Sequence, residues 1–242
     1  MLKRIIAITI LLSAFFIPLN IMSRPVTEPY LEGRDNITDI TRRRLSGSPV
    51  TLEERMTASA PDLNIPVTAY DDTGYILIGD SRSLGIEVYC KVNQTPDGFF
   101  VVAAAGEGFR YMMDTALPCA GLIEQSYPEI DHWVYIVNMG VNDYWNRADC
   151  KEIYEAALTE LAFKKDLYIV SVNPVRQAAE LEEFGLSNKG IEELNATLKA
   201  IPNTHYIDTY SYLMENGYQT VDDFHYTWDI TEEIYHLIRD SL

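Results

Sequence analysis

Residues 75–83 read Tyr75-Ile76-Leu77-Ile78-Gly79-Asp80-Ser81-Arg82-Ser83, an apolar run that passes directly into a polar loop. Four successive apolar residues closed by a glycine are typical of a short strand that is buried on both faces. Gly79 allows a tight turn, and Ser81 then falls at the start of a helix, where the N-terminus favours developing negative charge. A plain N-capping role for Ser81 would explain the same pattern.

Similar apolar runs recur along the rest of the chain and alternate with helical patterns. The sequence predicts strands at residues 75–78, 99–105, 133–139, 167–172 and 204–207, and helices near 108–117, 148–163, 187–200 and 231–239. Alternating strands and helices indicate a parallel sheet with right-handed crossovers. We therefore expect residues 67–242 to form a three-layer α/β/α sandwich around a mainly parallel, five-stranded sheet.

The first 66 residues differ in composition from the rest of the chain. Lys3 and Arg4 precede an uncharged, apolar segment over residues 5–23, which fits either an uncleaved membrane-anchoring helix or a cleaved signal peptide. Both alternatives place the remainder of the chain outside the cytoplasm. Residues 24–66 are rich in proline and predict a flexible linker, in which Thr51 and Glu54 have the spacing of a capping box for one short helix over 51–58.

Composition excludes several classes of protein. The formal net charge of −17 disfavours nucleic-acid binding, because such proteins need a basic surface to contact phosphates. Three cysteines are too few for a disulfide-dense scaffold, and none forms a Cys-x-x-Cys pair that would suggest structural zinc. Free thiols are the simpler prediction for Cys90, Cys119 and Cys150, although an exported protein could form one bridge.

Polar and glycine residues follow the predicted strands at the edge where ligands bind in parallel sheets. Gly106 and Gly108 follow the second strand, and Asn142 follows the third, where its amide could donate a hydrogen bond to an oxyanion. Asp222 precedes His225 by three residues in a loop ahead of the last helix, so one turn could place the carboxylate against the imidazole. Ordinary turns and caps explain each feature singly, but their shared placement favours one site.

Four of these segments resemble the sequence blocks of the SGNH/GDSL hydrolases, serine esterases and lipases with a flavodoxin-like fold; one is the glycine segment, in which both Gly106 and Gly108 fit. The other three are Gly79-Asp80-Ser81, Gly140-Val141-Asn142-Asp143 and Asp222-Asp223-Phe224-His225-Tyr226. The sequence departs from many members in having Arg82 where an aliphatic residue is usual and Asp223 where glycine is frequent.

The resemblance implies a role for each matching residue and no metal or cofactor. Ser81 would be the nucleophile, His225 the general base and Asp222 the carboxylate that orients it. The oxyanion hole would consist of the backbone N–H groups of Ser81 and of Gly108 (or Gly106), together with the Asn142 amide.

We expect an exported serine esterase that hydrolyses short acyl esters, acetyl esters in particular, on cell-envelope or extracellular carbohydrate. Arg82, Tyr144 and Trp145 lie near the predicted site in sequence, and such side chains suit a sugar ring or an anionic substituent. Three alternatives stay open: a lipase or lysophospholipase, a glycan O-acyltransferase, and a catalytically silent glycan-binding module.

Overall fold

A parallel sheet organises the computed structural model, which describes residues 61, 72–94, 97–144, 147–176 and 185–242. Within these residues the strands are β1 (Thr73–Gly79), β2 (Phe99–Ala103), β3 (His132–Asn138), β4 (Asp166–Val170) and β5 (His205–Ile207). They form one sheet in the order β2-β1-β3-β4-β5, and every pairing between them is parallel. This is the flavodoxin-like order, and it confirms the predicted five-stranded α/β fold.

Helices cover both faces of the sheet. In the described residues the α-helices are α1 (Ser81–Cys90), α2 (Phe109–Tyr111), α3 (Leu117–Ser126), α4 (Val141–Tyr144), α5 (Cys150–Ala162), α6 (Asn188–Lys199), α7 (Thr209–Asn216) and α8 (Trp228–Arg239). A π-helical segment, Met112–Ala116, joins α2 to α3, and a 3₁₀ turn, Val92–Gln94, follows α1.

The central residues of the strands are apolar because successive side chains pack into two different cores. In β1, Ile76 and Ile78 pack into the core that contains residues of α3, α5 and α6. Leu77 points the other way, into the core beneath α1, α7 and α8. These two buried clusters define the three layers of the sandwich.

The helices of the structure differ from the predicted ones in two respects. The helix expected over residues 108–117 continues to Ser126, because Pro118 falls in the first turn of α3, where a missing N–H is tolerated. The helix α7 was not predicted, although Asp208 caps it by accepting a hydrogen bond from the backbone N–H of Ser211. The predictions over 148–163, 187–200 and 231–239 are confirmed as α5, α6 and α8 to within three residues.

The predicted N-terminal segment over residues 1–23, the linker over 24–66 apart from Pro61, and its short helix over 51–58 lie outside the described residues. Among the helices that the structure does describe, none is long and apolar enough to cross a membrane.

Strand register brings three loops to one edge of the sheet. Gly79, the last residue of β1, is aligned with Ala103 of β2 on one side and with Asn138 of β3 on the other. The loops after these strands therefore leave the sheet at the same level. They carry Ser81, the Gly106–Gly108 segment and Asn142.

Candidate active site

Ser81 is the first residue of α1, directly after the end of β1. Asp80 is the N-cap, and its carboxylate accepts a hydrogen bond of 2.9 Å from the backbone N–H of Arg82. A Cβ atom at Gly79 would lie only 2.0 Å from the hydroxyl oxygen of the fully buried Ser83. Glycine is needed at this position because the first turn of α1 packs directly over it.

Asp80 is a buried carboxyl beside the candidate nucleophile. Burial raises its pKa, although the Arg82 guanidinium and the Arg82 backbone N–H act in the opposite direction. Because its side chain accepts the Arg82 N–H, Asp80 fixes the start of the helix on which Ser81 lies.

Asp222 and His225 form a compact unit in the loop that precedes α8. One carboxylate oxygen of Asp222 accepts hydrogen bonds of 2.7 Å from the backbone N–H groups of Phe224 and His225. The other oxygen lies 2.8 Å from Nδ1 of His225. Burial tends to raise the pKa of Asp222, but the hydrogen bonds and the attraction of His225 outweigh it and hold the pKa below its ordinary value.

The other ring nitrogen of His225, Nε2, contacts Ser81. Nε2 of His225 lies 2.9 Å from Oγ of Ser81, although the two residues are 144 positions apart in the chain. The structure thus brings the three predicted side chains into one line, in which each imidazole nitrogen contacts one partner. An imidazole held in this way can accept the serine proton while the carboxylate stabilises its charged form.

Asn142 lies in α4, just after β3. Its amide nitrogen donates a hydrogen bond of 2.6 Å to the backbone oxygen of Glu107, which joins the loop after β3 to the loop after β2. Asn142 and the Gly106–Gly108 segment are therefore adjacent, as an oxyanion-binding role would require.

The two candidate glycines are constrained in different ways. Gly108 is the N-cap of α2, and a Cβ atom there would lie 2.4 Å from a carboxylate oxygen of Asp143. Gly106 has a φ of +69°, a left-handed conformation that favours glycine. The choice of Gly108 over Gly106 for the oxyanion hole stays a prediction.

Asp143 is a structural residue of the site that the sequence analysis did not single out. Its buried carboxylate accepts hydrogen bonds of 2.7 Å from the backbone N–H of Phe109 and 2.8 Å from the hydroxyl of Tyr154. It thereby fixes the start of α2 against α4. Its position next to Asn142, in the segment that follows a buried strand, was a signal for this role.

The three predicted substrate contacts have different outcomes. Arg82 is only 7% exposed, and its Nε and Nη1 donate to backbone oxygens within the protein, whereas its Nη2 has no hydrogen-bond partner among the described residues; a contact with substrate stays a prediction. Tyr144 is partly buried, its hydroxyl donates to the backbone oxygen of Gly185 at 2.9 Å, and its role toward a substrate stays a prediction. Trp145 lies outside the described residues.

Comparison with known proteins shows which solved structures share this fold. No family model and no curated protein matches the chain. Among solved structures, a Streptococcus pneumonia protein provisionally described as a platelet activating factor matches with a TM-score of 0.56 at 15% identity, covering 84% of this chain and 96% of that one.

Two further matches carry the SGNH or GDSL description. A Slackia heliotrinireducens protein provisionally described as an SGNH hydrolase has a TM-score of 0.54 at 13% identity, covering 72% of this chain and 99% of that one. A GDSL-like lipase from Bacteroides thetaiotaomicron has a TM-score of 0.52 at 18% identity, with coverages of 79% and 98%. The fold is therefore that of the SGNH/GDSL hydrolases.

Proposed function

We propose that this protein is a serine hydrolase that cleaves carboxylic esters. The observation that carries the proposal is the continuous chain of contacts from Asp222 to His225 at 2.8 Å and from His225 to Ser81 at 2.9 Å. This chain lies at the carboxyl edge of the sheet, beside the Asn142 amide, in the fold of the SGNH/GDSL hydrolases.

The reaction begins with attack of the Ser81 hydroxyl oxygen on the ester carbonyl carbon. Nε2 of His225 takes the hydroxyl proton, and Asp222 stabilises the resulting imidazolium through Nδ1. Collapse of the tetrahedral intermediate breaks the bond to the alcohol oxygen, which receives the proton from His225. Water, activated by the same imidazole, then attacks the acyl-serine, releases the acid and restores Ser81.

The negative charge that develops on the carbonyl oxygen needs donors that are already in place. We assign this role to the backbone N–H groups of Ser81 and Gly108 (or Gly106) and to the side-chain amide of Asn142. The bond from Asn142 to the Glu107 carbonyl supports the assignment, because it fixes the amide plane before substrate arrives. Loss of one such donor typically lowers the rate by about 10²–10³.

The test is replacement of the nucleophile. Ser81→Ala should abolish turnover of p-nitrophenyl acetate and labelling by a fluorophosphonate probe, with no change in the circular dichroism spectrum. Ser126→Ala is the matched control, because the Ser126 hydroxyl is exposed and contacts only the backbone of its own helix in the described structure. Retained turnover in the Ser81 variant would remove this residue from the mechanism.

For the substrate, we propose a short acyl ester, acetyl in particular, on carbohydrate outside the cytoplasm. The support for export is the positive start of the chain followed by the uncharged segment over residues 5–23, which would act as an anchor or a cleaved signal. The support for a sugar is the pair Tyr144 and Trp145, which follows Asn142 closely in sequence.

A lipolytic function is the second candidate, because a solved structure with the same fold is a GDSL-like lipase. p-Nitrophenyl esters of rising chain length, assayed beside acetylated glycans, separate the two. Preference for acetyl esters supports the deacetylase, whereas preference for long acyl chains supports a lipase or lysophospholipase. Acyl transfer to an added sugar would indicate an O-acyltransferase, and glycan binding without turnover or probe labelling would indicate a silent binding module.

A further inference from the structure

The guanidinium of Arg82 bridges the two halves of the candidate site. Its Nε donates to the backbone oxygen of Phe224 at 3.1 Å, and its Nη1 donates to the backbone oxygen of Asn173 at 2.7 Å. The guanidinium carbon also lies 5.4 Å from the centre of the Tyr226 ring. Arg82 belongs to α1, whereas Phe224 and Tyr226 flank His225 on the last loop.

We propose that Arg82 is a positioning residue, which holds the loop of Asp222 and His225 against the serine helix and so sets the Ser81–His225 contact. The inference rests on the proposed esterase function for its activity readouts. It assigns Arg82 no contact with substrate.

The geometry of the bond to Phe224 carries the argument. Arg82 follows Ser81 by one residue, and Phe224 precedes His225 by one residue. The Arg82–Phe224 bond therefore runs beside the Ser81–His225 contact, one residue away at both ends. We expect a change in the length of the first to change the separation of the second, because the intervening backbone is short and partly buried.

The Asp222–His225 half of the site does not need Arg82 for its own geometry. Its three hydrogen bonds lie within residues 222–225, so carboxylate and imidazole move as one unit. What they require from elsewhere is a fixed position relative to Ser81. Arg82 supplies this from the interior, where 7% exposure keeps water from competing for the two carbonyls.

Burial of a cation here is costly unless the charge is well solvated by the protein. Two carbonyl oxygens, the face of Tyr226 and the nearby Asp80 carboxyl provide part of that solvation, while Nη2 is buried without a hydrogen-bond partner in the part of the chain that the structure describes. The planar fork of arginine presents donors on two separate nitrogens, Nε and Nη1, one to each carbonyl, whereas all three donors of a lysine ammonium lie on one nitrogen at the end of a flexible chain. Arg82→Lys therefore keeps the charge and loses the bridge.

We expect Arg82→Lys to lower kcat for p-nitrophenyl acetate by about 10- to 100-fold, since a misplacement near 1 Å can cost about 10²-fold, with KM changed less than about twofold. Arg82→Met is the second variant, and near-ultraviolet circular dichroism establishes that each variant is folded at the assay temperature. A rise in KM with kcat unchanged would overturn the proposal, because it would indicate a substrate contact.

Arg176→Ala is the matched control. Arg176 also contacts this loop, through an ion pair with Asp223 at 2.7 Å, but its side chain is 68% exposed. Its backbone N–H, which donates to the Asp223 carbonyl, remains in the variant. We expect kcat to change less than about twofold, as for an exposed ion pair. An equal loss in the two arginine variants would overturn a specific role for Arg82.

A double-mutant cycle tests whether Arg82 acts through His225. In the His225→Ala background, Arg82→Lys should change the residual rate less than about twofold, because the imidazole that it positions is gone. The same 10- to 100-fold loss in both backgrounds would overturn the proposal.

A nuclear magnetic resonance readout separates this inference from the esterase function. Ser81→Ala should shift the ¹⁵N signal of His225 Nε2 in the wild-type background and leave it unchanged in the Arg82→Lys background, where the contact is already lost. If the wild type lacks esterase turnover, the proposed function fails and this measurement still decides on Arg82. An equal shift in both backgrounds would overturn the positioning role.

Discussion

His225 has two ring nitrogens with two different tasks, and their partners come from different distances along the chain. Asp222 is three residues away, and one of its oxygens contacts Nδ1 of His225. Its other oxygen accepts the backbone N–H groups of Phe224 and His225. The local sequence therefore suffices to build the Asp222–His225 pair. Ser81 comes from the opposite end of the domain and reaches Nε2 only in the folded protein. Substitutions on the two sides of the ring should therefore have separable effects.

Asp222→Asn should lower kcat by about 10⁴, since an amide in place of the carboxylate favours the wrong imidazole tautomer and leaves the imidazolium without a counter-charge. Asp223→Asn is the adjacent control, because Asp223 forms an ion pair with the exposed side chain of Arg176 and contacts neither Ser81 nor His225 through its carboxylate in the described hydrogen bonds. We expect its kcat to stay within about twofold of the wild type. Steady-state kinetics with p-nitrophenyl acetate measure both, and equal losses would contradict the assignment of Asp222.

The lowered pKa of Asp222 also makes a prediction about stability. In the unfolded chain this carboxyl titrates near 3.8, and in the folded protein it titrates lower. Between those two pH values the unfolded state binds more protons, so this contribution to stability is complete above 3.8 and is lost as the pH falls through the folded pKa. Asp222→Asn should weaken the acid dependence of the free energy of unfolding.

Urea unfolding between about pH 3 and pH 6 measures this dependence. The difference in stability between wild type and Asp222→Asn should shrink as the pH falls through the acid part of the range. A difference that grows toward acid pH would show that Asp222 is not stabilised as a carboxylate.

At the scale of elements, the register of β1, β2 and β3 lets three separate loops contribute to one site. The close approach of α2 to α4 then depends on Gly108, because the Asp143 carboxylate occupies the space that a side chain would need. Asp143 in turn holds Phe109 and Tyr154. The oxyanion region is therefore supported by packing between short helices.

Gly108→Ala should lower the free energy of unfolding by about 1–3 kcal/mol, the usual cost of overpacking. It should also lower kcat by about 10-fold or more, because displacement of Asp143 disturbs the adjacent Asn142. Thermal unfolding and esterase kinetics measure the two effects. Unchanged stability would show that Asp143 can move aside without cost.

Gly121→Ala is the matched control for that substitution. Gly121 lies inside α3, and a Cβ atom there meets nothing within 4 Å. Alanine is the better helix former, so stability should rise by about 0.5–1 kcal/mol. Activity should not change, and a loss would mean that α3 is coupled to the site.

At the scale of the whole molecule, helices cover both faces of the sheet. The three cysteines pack into or against the two cores between the helices and the sheet. Cys119 and Cys150 are buried, Cys90 is partly exposed, and none of the three forms a disulfide within the described structure. Burial raises the pKa of Cys90 and Cys119 to about 11 and that of Cys150 to about 12. A thiol with so high a pKa is a weak nucleophile at neutral pH.

Ellman's reagent at about pH 8 should therefore react slowly with the native protein, mainly at Cys90, and should titrate three thiols after unfolding in urea without reductant. A reducing agent should not change the unfolding midpoint. Fewer than three thiols in the unfolded, unreduced protein would reveal a disulfide.

The printed sequence alone was enough to predict the five strands, most of the long helices and the residues Ser81, Asn142, Asp222 and His225. Apolar runs, helical periodicity and strand-end motifs are encoded within short stretches, and the resemblance to SGNH/GDSL hydrolases gave the motif residues their expected roles. The local pairing of Asp222 with His225 was predictable for the same reason.

Tertiary structure alone decided how distant parts of the chain meet. It placed Ser81 against His225, buried Arg82 between two loops and set Asp143 against Gly108. Each of these outcomes depends on contacts between residues that are not neighbours in sequence, and the energy of such a contact is determined only when the packing of both partners is fixed.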